Sequence, residues 1–194
     1  MELFVTQWDD LVEGAPKAVA HLDCVKWFNY LALDSIGDLA FGLPFRMLSS
    51  GADIAEARSS PASPPVYALA IEILKRRGEV SAVLGYLPQL KSYAGWLPDP
   101  FFHKGLGAVQ NLAGIAIARV KVRLESPPDM DRIDLLARLM EGRDEKGELL
   151  GREELTAEAL TQLIAGSDTT SNTSCALLYH VVRSEGFRRS GRPI

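Results

Sequence analysis

A chain of 194 residues suits one domain, and 47% hydrophobic content is enough to build a core. The formal net charge of -4 argues against nucleic acid as a partner. Two cysteines, Cys24 and Cys175, are too few and too far apart in sequence for a disulfide framework or a zinc site, so each reads as a small buried hydrophobe of a reducing compartment.

In chain order, residues 1–13 hold an aromatic-acidic segment around Trp8, Asp9 and Asp10 that reads as the tail of a helix. Over 16–41 the apolar positions Val25, Phe28, Ala32, Ile36 and Leu39 predict a second helix, which Gly42 and Pro44 end. Trp27 and Tyr30 read as core aromatics. Residues 48–65 form a linker rich in Ser, Ala and Pro, with Asp53 and Arg58 expected to be exposed. Ser63 before two prolines predicts a helix over 65–84, carrying Ala68, Ile71 and Leu74 to a solvated basic end at Lys75-Arg76-Arg77.

Residues 87–100 are a Pro/Gly-rich connection with Tyr93 and Trp96. A long helix over 101–125 follows, with Val109, Leu112, Ile115, Ala116, Val120 and Leu124 apolar. Its Asn111-Leu112-Ala113-Gly114 would let a neighbouring helix come close, and His103 reads as a surface residue. Ser126-Pro127-Pro128-Asp129 breaks the chain. Asp131 is then expected to cap a short helix with Ile133, Leu135, Leu136, Leu139 and Met140, before a charged loop over 141–148. The longest uncharged apolar stretch, 106–118, is too short to cross a bilayer, which takes about 18 residues. No segment alternates with period two. The expected fold is all-α, with antiparallel helices packed around one long central helix.

That central helix is residues 155–182, about 40 Å long at the α-helical rise. Glu153, Glu154 and Glu158 suit the positive end of its dipole. Apolar residues flank a polar stretch, Ala165-Gly166-Ser167-Asp168-Thr169-Thr170-Ser171. Helix stability alone gains little there, because Gly costs about 1 kcal/mol against Ala and short polar side chains compete for the backbone. Two readings stay open. One is a kinked core helix whose hydroxyls bond back to carbonyls a turn earlier. The other is a ligand face: Thr161, Ala165 and Thr169 fall at i, i+4 and i+8, flanked by Gly166 and Asp168, where a flat, bulky ligand could lie against the backbone.

Ala165-Gly166-Ser167-Asp168-Thr169-Thr170 resembles the Ala/Gly-Gly-x-Asp/Glu-Thr-Thr/Ser signature of the long distal helix in cytochrome P450 monooxygenases. Trp27-Phe28-Asn29-Tyr30, the run Asp34 to Gly42, Thr161 to Ile164, and Ser171-Asn172-Thr173 are similar to the fungal branch of that family. Arg77-Gly78-Glu79, Leu87-Pro88 and the run Asn111 to Ala116 resemble its benzoate 4-monooxygenase-like members. The resemblance implies a partial cytochrome P450 domain over 1–183, with a divergent tail over 184–194.

The resemblance further implies a thiolate-held haem that activates O₂. Asp168 and Thr169 would deliver protons, Ala165, Gly166 and Thr170 would border the haem, and Thr161, Ile164, Ala165 and Thr169 would border the substrate. The reaction implied for the full-length protein is para-hydroxylation of a benzoate-like aromatic acid. Its electrons would come from an NADPH-dependent reductase at the cytoplasmic face of the endoplasmic reticulum membrane. The thiolate loop of the family, Phe-x-x-Gly-x-Arg-x-Cys-x-Gly, has no counterpart around Cys24 or Cys175, so no metal ligand is assigned and the chain by itself is expected to be inactive. The alternative is a non-catalytic helical module that binds an apolar small molecule or a partner helix.

Overall fold

The computed structural model describes residues 2–125, 133–143, 145 and 147–184. Helix α1 spans Glu2–Glu13. A single 3-10 turn follows at Pro16–Ala18, with Lys17 at φ 62°, and residues 19–23 then form no regular element. Helix α2 therefore spans Cys24–Phe41 and not the whole of 16–41. The start is set by Asp23, whose carboxylate accepts the Lys26 N–H at 3.1 Å, which satisfies one of the orphan donors of the first turn. Gly42, at φ 69°, ends the helix in the left-handed region that favours glycine. The buried face of α2 also differs from the expected one. Trp27, Tyr30, Ala32, Leu33, Gly37, Ala40 and Phe41 are buried, while Val25 and Leu39 are exposed.

Residues 48–65 are more than a linker. Helix α3, Met47–Ser50, begins where the buried Asp34 carboxylate accepts the Met47 and Leu48 N–H groups at 3.0 and 2.9 Å. Strand β1, Ala55–Ala57, pairs antiparallel with β2, Val66–Ala68. The β-branched and aromatic Val66 and Tyr67 suit a strand, so the expected helix over 65–84 starts later, as α4 over Ala70–Tyr86. Asp53 is half-buried: both its oxygens lie 3.1 Å from the Ile71 N–H at the start of α4, and burial raises its pKa. Arg58 is largely covered and pairs with Glu56 at 2.7 Å. Lys75-Arg76-Arg77 lies mid-helix, with Arg76 paired to Glu79 at 2.9 Å.

Helix α5 spans Pro100–Glu125 as expected, its start marked by Asp99 accepting the Phe101 N–H at 2.8 Å. What approaches its small residues is a strand. Arg58 N–H donates to the Gly114 carbonyl at 3.0 Å, and a Cβ on Gly114 would meet the Arg58 carbonyl oxygen at 3.0 Å. Asp131, with the break at 126–129, lies outside the described residues. The cap seen on α6, Leu135–Met140, is Asp134, which accepts the Ala137 N–H at 2.8 Å and the buried Arg123 Nε–H at 2.6 Å. Helix α7 spans Arg152–Arg183, and Glu154 accepts the Gly151 N–H at 2.8 Å at its start.

Seven α-helices and one two-stranded sheet are thus present among the described residues, a mostly helical fold with a small β element. The core joins α2, α5 and α7, with α4 and β1 laid against α5. Tyr30, Leu33, Ile115, Val120 and Leu163 are each about 1% exposed and form its centre. At α1, Phe4 joins the core and packs against Trp8 and Phe28, with ring centroids 4.7 to 5.9 Å apart. Arg119 lies over the Phe45 ring at 3.6 Å; burial lowers its pKa to about 10, which still leaves it charged at neutral pH.

α2 and α7 pack closely at Gly166, where an added Cβ would meet the Ile36 side chain at 3.0 Å. Gly166→Leu should therefore lower the urea midpoint by an amount equivalent to about 1–3 kcal/mol, the usual range for overpacking. Adding Ile36→Ala should recover part of that loss. A Gly166→Leu variant as stable as the parent would contradict this packing.

Candidate functional site

Helix α7 stays helical through the polar stretch. Its buried residues are Leu155, Ala159, Leu163, Ser167 and Ser171, an unbroken i, i+4 ridge. Such a ridge packs into the grooves of neighbouring helices, here α2 and α5. The ridge becomes polar at its centre without leaving hydroxyls unsatisfied. Ser167 donates to the Leu163 carbonyl at 2.7 Å and Ser171 to the Asp168 carbonyl at 3.2 Å. Both serines are at most 1% exposed. The back-bonding expected of a core helix is therefore present, and α7 runs through it without interruption.

The opposite face is the open one. Thr161, Ala165 and Thr169 are exposed on one i, i+4, i+8 stripe, and Asp168 is exposed beside it. Thr161 donates to the Ala157 carbonyl at 3.0 Å and Thr169 to the Ala165 carbonyl at 2.6 Å. A threonine bonded this way keeps its oxygen lone pairs available outward, and the hydroxyl can rotate to donate to another acceptor. Thr170 is also exposed, at the edge of the stripe. Ile164 and Gly166 are half-buried and do not share it: Ile164 packs against the core and Gly166 against Ile36. Asp168 is more exposed than a partly buried relay carboxylate would be.

The larger surface grooves among the described residues lie elsewhere. One of about 430 Å³ runs between α4 and α5, past Ile73, Arg76 and Lys104. Another, about 450 Å³, follows β1 and α5 past Arg58 and Asn111. A third, about 420 Å³, runs between α1, the segment after it and α7. None is lined by the Thr161–Thr169 stripe. Among the described residues no cluster of three or more His, Cys, Asp or Glu side chains could hold a metal ion.

The open stripe fits one face of a flat macrocycle, since its central side chain is a single methyl with threonine hydroxyls a turn away on either side. The cysteines do not fit the opposite face. Cys175 falls one turn beyond Ser171 on the buried ridge, and Cys24 is the first residue of α2 on that same side. The ridge role of Ser167 and Ser171 is absent from the sequence analysis, although their i+4 and i+8 spacing from Leu163 signals it.

The family model described as "Cytochrome P450" matches residues 1–187. Benzoate 4-monooxygenase bphA of Aspergillus niger is 61% identical over 96% of the chain, which spans 37% of that protein. Trichothecene C-15 hydroxylase of Fusarium sporotrichioides is 30% identical over 81% of the chain and 29% of that protein. A crystal structure of a cytochrome P450 (CYP102L1) shares the fold at a TM-score of 0.66 and 16% identity, over 95% of this chain and 37% of that one. The chain thus spans well under half the length of these relatives, and the match along nearly all of it shows that it belongs to the cytochrome P450 monooxygenase family.

Proposed function

We propose that α7 forms the oxygen-side wall of the active site of a haem-dependent monooxygenase that hydroxylates a benzoate-like aromatic acid at the para position. The observation that carries this reading is the division of α7 into a buried ridge and an open stripe holding Thr161, Ala165 and Thr169, with Asp168 at its edge. The 61% identity to a benzoate 4-monooxygenase supports the substrate class. The whole protein would draw electrons from an NADPH-dependent reductase at the endoplasmic reticulum membrane. No helix among the described residues is long and apolar enough to cross a membrane.

When bound, the haem supplies the O₂ chemistry, which the protein steers through protons and placement. Ala165 keeps the centre of the stripe low enough for a flat group to approach the helix, and Thr170 borders it. Gly166 contributes by setting α7 close to α2, so its backbone holds the stripe at a fixed height. Thr169 has its hydroxyl on the Ala165 carbonyl and can turn it outward, so it holds a proton or an ordered water at the edge of the reacting centre. Asp168 exchanges protons with solvent and passes them to that hydroxyl. Thr161, with Ile164 beside it, borders the ring of the substrate a turn earlier. Cys24 and Cys175 both lie on the buried side of α7, so the chain by itself offers the Thr169 side no thiolate partner and is inactive alone.

In the full-length protein, Thr169→Ala should raise peroxide release at the expense of hydroxylated product. Asp168→Asn should lower turnover by roughly a hundredfold, the lower end of the usual range for a positioned proton donor. Product and peroxide assays run side by side read both effects, and unchanged coupling in Thr169→Ala would remove the role given to that hydroxyl. Titration of the full-length protein with benzoate should shift its haem absorption band. A shift with a long-chain fatty acid and none with benzoate would redirect the substrate assignment.

A further inference from the structure

Far apart in sequence, Cys24 and Cys175 are brought to the same place by the fold. Cys24 opens α2. Cys175 continues the ridge Leu163, Ser167, Ser171 by one more turn of α7. Gly166, near the middle of α7, meets Ile36 in the second half of α2. From that point α7 advances as α2 runs back towards its start, so the ridge reaches the N-terminus of α2 near Cys175.

Two further observations agree. The groove of about 420 Å³ beside α1 is lined by Leu22 and Cys24 from one side and by Leu178 and Val182 of α7 from the other. Cys175, Leu178 and Val182 stand at i, i+3 and i+7, on one face of the helix. The Cys175 thiol also lies within electrostatic reach of Cys24 and Asp23, and burial, its main influence, raises its pKa. Both thiols are free and half-buried. The Cys24 thiol has only a weak contact, 3.9 Å to the Leu22 carbonyl.

We propose that Cys24 and Cys175 are a redox-responsive dithiol that closes to a disulfide when the protein meets hydrogen peroxide. In the first step the Cys24 sulfur attacks one peroxide oxygen. The S–O bond forms as the O–O bond breaks, leaving a sulfenic acid and one water. In the second, the Cys175 sulfur attacks the Cys24 sulfur, its proton leaves with the displaced hydroxyl as a second water, and the S–S bond forms. Two thiols lose two electrons in all, and one peroxide is reduced to two waters.

The bond would tether the C-terminal part of α7 to the start of α2. Beyond Ser171 no residue of α7 is buried. Oxidation would therefore fix the one weakly held half of the helix that carries Asp168 and Thr169.

The purified chain can be treated with hydrogen peroxide and then alkylated, with a reduced sample alongside. The oxidised chain should run as a faster monomer on a non-reducing gel, take up no alkylating label, and weigh less by two hydrogens. A thiol reductant should reverse all three changes, and Cys24→Ala and Cys175→Ala should each abolish the fast band while keeping the parent's circular dichroism. Retention of both thiols, a gain of oxygen atoms without loss of hydrogens, or covalent dimers in place of the fast monomer would overturn the proposal. A short bifunctional thiol crosslinker tests the geometry apart from the redox step. It should join the two cysteines in the folded, reduced chain and not in urea, and failure in the folded chain would overturn the pairing.

Discussion

The rest of the structure depends on the contact between α2 and α7 along a four-residue ridge. Leu155, Ala159, Leu163, Ser167 and Ser171 form the buried side over somewhat more than four turns, and Gly166 lets Ile36 come in beside them. A ridge of period four drifts around the helix, since 3.6 residues make a turn. Its opposite face drifts with it, which brings Thr161, Ala165 and Thr169 to the open side in mid-helix. Moving the ridge by one residue would bury Asp168 and expose Ser167. The open stripe exists because the buried one is held in register.

The same contact explains how a helix tolerates so polar a centre. Left in an isolated helix, Gly166, Ser167, Thr169 and Ser171 would weaken it, since glycine and short hydroxyl residues are poor helix formers. In place, each of these hydroxyls donates to a carbonyl three or four residues earlier, and tertiary packing supplies the stability that local propensity does not. Buried and half-buried carboxylates set the neighbouring elements in a similar way. Asp34 on α2 starts α3, Asp53 starts α4, and Asp134 both caps α6 and pairs with Arg123 of α5. Each joins an element to one distant in sequence, so the frame around α7 is tied by hydrogen bonds to charged groups as well as by apolar contact.

The long helices were legible in the sequence because their apolar spacing and caps are local. The bounds of α5 and α7 follow from such signals to within a few residues. What was not legible came from long-range contacts. Residues 65–69 looked like a helix start after two prolines, yet Val66 and Tyr67 pair with β1, a partner that local pattern does not reveal. Asp53 and Arg58 looked exposed in a polar linker and are held by the start of α4 and by Glu56. The stripe on α7 was readable from its spacing, but not which way it faced. Nor did the separation of Cys24 and Cys175 along the chain show that an antiparallel contact brings both to the start of α2.

The division of α7 into two faces can be measured directly. In a background of Cys24→Ser and Cys175→Ser, single cysteines would be placed at positions 159, 161, 163, 165, 167, 169 and 171 of this chain, and their alkylation rates compared in native buffer and in urea. Positions 161, 165 and 169 should react almost as fast folded as unfolded, and 159, 163, 167 and 171 should be slowed by orders of magnitude. Equal protection along the helix, or fast reaction at 167 and 171, would contradict that division.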